Sequence, residues 1–187
     1  MRSLSGVHSP TARAILVFTA LALMPSWGWA EVIPAPADLA ARFPEEPPRG
    51  RLVLTVVAQT GDDIEVGAGP DGPRRIVPIT GGTFSGEGGL KGIVLPGGAD
   101  RQRVRADGVR ELDATYELRT DDGVVLMVHN QVIVDASGPG ERYARSVVRI
   151  SAPQGAYAWL NRRLLVGTLT SFRPAQPYVM LRFYELL

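Results

Sequence analysis

Between Ile76 and Gly123 the chain is a series of short apolar runs cut at close intervals by glycine and aspartate. The breaks are Gly81-Gly82, Gly86, Gly92, Gly97-Gly98-Ala99-Asp100, Asp113 and Asp121-Asp122-Gly123. Glycine inside a strand marks a bulge, a corner or a close backbone approach. Aspartate before glycine closes a turn by bonding the next amides. Between the breaks the side chains alternate. In Asp113 to Thr120, Ala114, Tyr116 and Leu118 share one face, and Asp113, Thr115, Glu117 and Arg119 share the other. That period of two belongs to half-buried strands. Asp121-Asp122-Gly123 reads as a hairpin turn with Gly123 in the left-handed region.

The same texture starts at Arg51 and reaches the C-terminus. Strands are predicted over Arg51–Gln59, Ile64–Gly67, Arg75–Thr80, Gly92–Leu95, Gln102–Arg105, Leu112–Thr120, Val124–Val134, Tyr143–Ser151, Leu164–Phe172 and Tyr178–Leu186. Pro70-Asp71-Gly72-Pro73 is a further turn, because proline presets φ and glycine accepts positive φ. Only Ser151–Arg163 leaves room for a short helix or 3₁₀ turn. The expected class is all-β: a single-domain antiparallel β-barrel of about 8–10 strands. The glycines at 81, 82, 86, 88, 89 and 92 favour a barrel over a sandwich, because closure needs corners.

Residues 1–30 read as a secretory signal peptide. Arg2 and Arg13 precede the apolar run Ala14–Met24; Pro25 and Ser26 break it, and Gly28-Trp29-Ala30 supplies small residues for cleavage. The run is shorter than the ~20 residues a spanning helix needs. Residues 31–50 form a Pro-rich lead-in with room for one helical turn around Ala37–Arg42, and 51–187 form the barrel domain. The expected location is periplasmic or secreted. Loss of Arg2 and Arg13 lowers the formal net charge from +1 by two, to −1. A near-neutral chain has no bulk attraction for nucleic acid or anionic membrane. With no cysteine, and with His129 alone after His8 leaves with the signal, thiolate and multi-histidine metal sites are excluded. No metal and no cofactor are expected. A membrane β-barrel needs strands of about 9–11 residues with an unbroken apolar outer face. Arg51–Gly67 and Gln102–Arg110 fail that test, so no membrane insertion is expected after signal removal.

The stretches IVPITGGTFSG, GIVLPGGAD, LDATYELRTDDG and YAWLN, in this order, resemble the DUF3237 family, also called UPF0311, from about Arg51 to the C-terminus. The resemblance implies a compact single-domain antiparallel β-barrel and brings no reaction with it. Where the family pattern often has an aromatic after the GGAD aspartate, this chain has Arg101. At a pocket wall, that difference implies a more polar or anionic ligand.

Gly86-Glu87-Gly88-Gly89-Leu90-Lys91-Gly92 lacks the Gly-Lys-Ser/Thr order of a phosphate loop and the glycine spacing of a dinucleotide fingerprint. No Gly-x-Ser-x-Gly elbow occurs, and His129 on the Val125/Met127 face reads as a hydrogen-bonded strand residue. Arg101, Arg103 and Arg105 alternate without interleaved aromatics and read as a solvated face beside Asp107, Glu111 and Asp113. The aspartates at strand ends are the better candidates, since barrel mouths gather strand ends. Asp122 and Asp100 are the candidate bases; a carboxylate among apolar walls has a raised pKa. Asp121 and Asp107 read as turn residues. Tyr116, Asn130, Trp159, Asn161 and Arg101 are candidate ligand-binding residues, Asn130 because an amide within a barrel strand must be bonded or line a wet cavity.

Two functions fit. One is an exported barrel binding a small apolar or aromatic organic ligand. The other is a cofactor-independent lyase, isomerase or cyclase, with an aspartate as base and Asn130, Asn161 or Tyr116 steadying an enolate oxygen. A raised aspartate pKa inside a cavity favours the enzyme; carboxylates all held in salt bridges favour simple binding. A homodimer is left open.

Overall fold

The computed structural model describes residues 36–43, 45–140 and 142–187. The signal stretch 1–30 and the start of the lead-in lie outside the described residues. Two units divide the chain, Met1–Glu45 and Glu46–Leu187. The first contains α1 (Pro36–Arg42), at the expected helical turn. Among the described residues no helix is long and apolar enough to cross a membrane.

The second unit is built from strands β1 (Gly50–Thr60), β2 (Ile64–Gly69), β3 (Gly72–Gly86), β4 (Lys91–Val94), β5 (Ala99–Val104), β6 (Arg110–Thr120), β7 (Val125–Asp135), β8 (Tyr143–Ser151), β9 (Leu165–Ser171) and β10 (Tyr178–Leu186). Short 3₁₀ turns occupy Glu87–Gly89 and Ala158–Arg162. All pairings are antiparallel, in the order β1-β10-β9-β8-β7-β6-β4-β3. β5 also lies between β3 and β6, so β4 and β5 share one stave. The wall closes because β1 pairs with both β10 and β3. The result is a closed eight-stave barrel. β2 folds back on the first part of β3 through the two-residue Pro70-Asp71 turn.

β3 makes the closure possible. Up to Pro78 it pairs with β2 and β5; from Ile79 it pairs with β1. Gly81-Gly82 sits just past the change of partner. A Cβ on Gly82, whose φ is +134°, would stand 2.1 Å from the Val57 carbonyl oxygen. Only glycine admits that approach. Strand formation was expected to stop at Thr80, but it continues to Gly86, since the glycines bend the strand without ending its ladder. Gly123 has the expected positive φ, 89°.

The alternation sends Leu112, Ala114, Tyr116 and Leu118 of β6 inward, with Ala144, Ser146, Val148 and Ile150 of β8. The interior is filled along only part of its axis. Toward the Thr120 end of β6, Leu54, Phe84, Leu118, Leu126, Leu160 and Phe183 pack into a dry core. Each such side chain contributes roughly 1.5–3 kcal/mol of burial free energy. The turn Ala158–Arg162 drives Leu160 into this end. Beside it, the buried Glu185 carboxylate accepts from Arg51 and Arg163, each at 2.6 Å. At the other end, where β6 begins, the interior is hollow.

Candidate functional site

The hollow end is a cavity of about 370 Å³. Its walls include Val77, Ile79, Leu112, Val132, Leu169 and Leu181, and its polar groups are few and placed by register. Asp100 of β5 pairs with Ala114 of β6, which pairs with Asn130 of β7. These three therefore form one inward row across three strands. Neighbouring strands lie about 4.8 Å apart, and the methyl group of Ala114 leaves the space between the aspartate and the amide unfilled. Tyr116 stands two residues further along β6, on the same face.

Each of these groups keeps one polar atom without a protein partner. Asp100 Oδ1, the Tyr116 hydroxyl and Asn130 Oδ1 are buried without a hydrogen bond. Buried polar groups are normally paired, so three such unpaired atoms around one cavity make it the candidate site. Ser146 Oγ is also buried and unpaired, but it lies outside this cavity.

Asp100 is pushed up to about 6. Burial is the main cause. It is partly offset by Gln102, whose Nε2 donates to Asp100 Oδ2 at 2.6 Å, by the Asp113 main-chain amide, and by the charge of Arg75. The Tyr116 hydroxyl is also driven up, first by burial and then by the Asp100 charge. Gln102 is held in turn: its Oε1 accepts from Arg75 Nε at 2.9 Å and from Nη2 at 2.8 Å. Arg75 also pairs with Asp63 at 2.9 Å, and Arg173 pairs with the other Asp63 oxygen at 2.7 Å. The mouth is thus a braced polar frame around one carboxylate with a free oxygen.

The structure brings Asp100, Tyr116 and Asn130 together and separates the other sequence candidates from them. Asp122 lies in the β6–β7 turn at the filled end. Tyr157 donates to both its oxygens at 3.2 Å, and bonds from Thr120, then Tyr157, hold its carboxyl below the usual range. It is a turn carboxylate, remote from the cavity because successive strand ends lie at opposite mouths. Asn161 clamps backbone: its Oδ1 accepts from the Ala152 amide at 3.0 Å, and its Nδ2 donates to the Ala152 and Ala158 carbonyls at 2.9 and 3.2 Å. Trp159 packs against the filled core, not the cavity. Arg101 points outward, because its neighbours Asp100 and Gln102 take the inward positions of β5. His129 is on the outer face, 2.7 Å from Asp113 Oδ1. Asp107 accepts from the Val109 amide at 3.2 Å, as a turn residue does.

Sequence reasoning overlooked Asp63, Arg75, Gln102, Arg110 and Arg173. Two were legible. Gln102 is in phase with Asp100, and Arg110 is in phase with Leu112, Ala114 and Tyr116, a cation on an otherwise apolar face.

The chain matches the family described as "Protein of unknown function (DUF3237)" over residues 48–186. A UPF0311 protein of Rhodopseudomonas palustris is 38% identical over 133 residues, covering 63% of this chain and 85% of the relative. A UPF0311 protein of Bradyrhizobium diazoefficiens is 33% identical over 133 residues, with the same coverage, 63% and 85%. Among solved structures, a conserved protein of unknown function from R. palustris superposes with a TM-score of 0.69 at 33% identity, over 76% of this chain and 100% of that one. A beta-barrel like protein from Acinetobacter baumannii gives 0.70 at 28% identity, over 78% and 99%. An enzyme from Penicillium herquei, 21% identical with a TM-score of 0.62 over 78% of this chain and 98% of that one, shares the fold. With four ordered sequence motifs, the closed barrel and a match across nearly all of its second unit, this chain belongs to the DUF3237 (UPF0311) family.

Proposed function

We propose that the barrel holds a small, largely apolar organic molecule in its hollow end and moves a proton on it, with Asp100 as general base and no cofactor. One observation carries this reading: a carboxylate pushed up to about 6 keeps a bare oxygen facing a cavity that also contains the unpartnered Tyr116 hydroxyl and Asn130 Oδ1. A base with a pKa near the working pH combines a useful ionised fraction with real proton affinity. The buried tyrosine hydroxyl keeps its proton and is free to donate it in a hydrogen bond, suited to an oxygen that gains charge as the neighbouring C–H loses its proton. The class is isomerisation, elimination or cyclisation beside a carbonyl or phenol. A second reading, binding without turnover, is favoured by Asp63, the other carboxylate of the cavity, which is ion-paired to both Arg75 and Arg173. The basic, apolar and small-residue pattern of residues 1–30 supports export, so the reaction belongs outside the cytoplasm; sequencing the N-terminus of the protein recovered from its host tests this.

The experiment is native mass spectrometry of protein purified from its own host, to identify a co-purifying compound, followed by incubation of that compound in D₂O with wild type and Asp100→Asn. Deuterium uptake or conversion by wild type, with binding but no exchange by Asp100→Asn, supports proton transfer. Binding with no exchange by either protein leaves the second reading.

A further inference from the structure

We propose that the molecule held in the cavity carries a carboxylate, seated on Arg110, at the end remote from Asp100. This rests on the reading of the cavity as a small-molecule site and deepens it by naming the ligand class.

The charges at the mouth do not balance. Arg75, Arg110, Arg142 and Arg173 line the cavity, against the carboxylates of Asp63 and Asp100. Asp63 is shared by Arg75 and Arg173, and Arg75 spends its remaining donors on Gln102. Arg110 has no ion pair and no side-chain hydrogen bond among the described residues, although it is half-buried. Its neighbours make matters worse: burial, then Arg75 and Arg142, lower its pKa, and Asp100 and Asp63 only partly compensate. A guanidinium withdrawn from water beside like charges lacks an anion. Its fork of donors fits a carboxylate in a two-bond arrangement.

Register gives the dimensions. Arg110 lies on the inward face of β6, four residues before Ala114, whose row carries Asp100 and Asn130. Four strand residues span roughly 13 Å, and the arginine side chain bridges part of that. Between the two ends, Leu112 and Val132 present an apolar wall. The cavity thus has three zones in line: a cation, an apolar stretch and a proton-transfer end. An aryl or alkenyl acid of about one ring plus a short chain spans them.

The probes are phenylacetate, 3-phenylpropionate and 4-phenylbutyrate, each paired with its neutral amide, titrated calorimetrically into wild type, Arg110→Gln, Asp100→Asn and, as an outer-face control, Arg101→Gln. At least one acid is expected to bind wild type roughly ten- to a hundredfold more tightly than its amide, the range of a charge-assisted hydrogen-bonded pair. Arg110→Gln is expected to bring acid and amide to equal affinity, while Arg101→Gln and Asp100→Asn keep the preference. Thermal melts of Arg110→Gln check its fold, and relief of the crowded cation is expected to leave it at least as stable as wild type. Equal affinities in wild type, a preference that survives Arg110→Gln, or no binding by any acid in the series overturns the proposal. Turnover plays no part in these titrations. A failure of Asp100 as base appears instead as wild type that prefers acids yet exchanges no proton on the natural ligand.

Discussion

Replacing Asp100 by asparagine should stabilise the barrel, and by an amount that depends on pH. The folded state holds this carboxyl at about 6 against an ordinary 3.8. Because the folded pKa is the higher one, the native state binds the proton more tightly than the unfolded chain. Stability is therefore intact below about 3.8 and is lost as pH rises through about 6. The shift corresponds to about 3 kcal/mol in full, of which about 2 kcal/mol falls between about pH 4.5 and about pH 8. Asparagine keeps the acceptor for Gln102 and carries no charge, so it escapes this loss. The assay is urea unfolding of wild type and Asp100→Asn across that range. The quantity to follow is the difference between the two proteins, in which the other carboxylates cancel. The difference should grow in favour of the variant by about 2 kcal/mol from acid to alkaline conditions, equivalent to roughly 4–8 °C in Tm for a domain of this size. A difference that stays flat with pH, or shrinks as pH rises, would mean that burial does not raise the affinity of this carboxylate for its proton, and Asp100 would then be no tuned base.

Ala114→Leu should fill the gap between Asp100 and Asn130 and abolish binding of the co-purifying compound while the protein stays folded; undiminished binding by titration would place the ligand elsewhere. Turnover of that compound should rise with pH through about 6 in kcat/KM, and Asp122→Asn, altered at the filled end, should leave that profile unmoved. Glu185→Gln should cost about 1.5–3 kcal/mol in urea unfolding, because two arginines lose a charged acceptor; a change under about 0.5 kcal/mol would show the cluster to be dispensable. Gly82→Ala should cost upwards of about 3 kcal/mol, or prevent folding, because its Cβ meets the Val57 carbonyl at 2.1 Å; a near-native melting temperature would refute the corner assignment.

The barrel was legible because alternation and turn chemistry are local. β8 and β10 fall on their predicted bounds, and the hairpin at Gly123 has its expected dihedral. β3 was cut short because a double glycine reads as an interruption, whereas in three dimensions it lets one strand change partners. The site was legible only where phase was available. Asn130 stood out as a polar residue in an apolar rhythm, and its row-mate Asp100 as an aspartate at a strand end. Asp122 misled for a geometric reason: Asp100 pairs with Ala114, within β6, whereas Asp122 lies past the filled end of that strand, beyond Thr120. Trp159 and Asn161 looked chemical by residue type, but their neighbours make one a packing group and the other a backbone clamp.

Because one half of the cylinder is solid and the other is hollow, durability and the cavity occupy different floors of the same building. The packed floor fixes the staves, so residues lining the vacant floor can change size or polarity without dismantling the frame. A lineage using this scaffold can therefore reshape the cavity by altering Leu112, Val132 or Arg110 alone, while the plug around Phe183 and Leu160 continues to hold the walls in place.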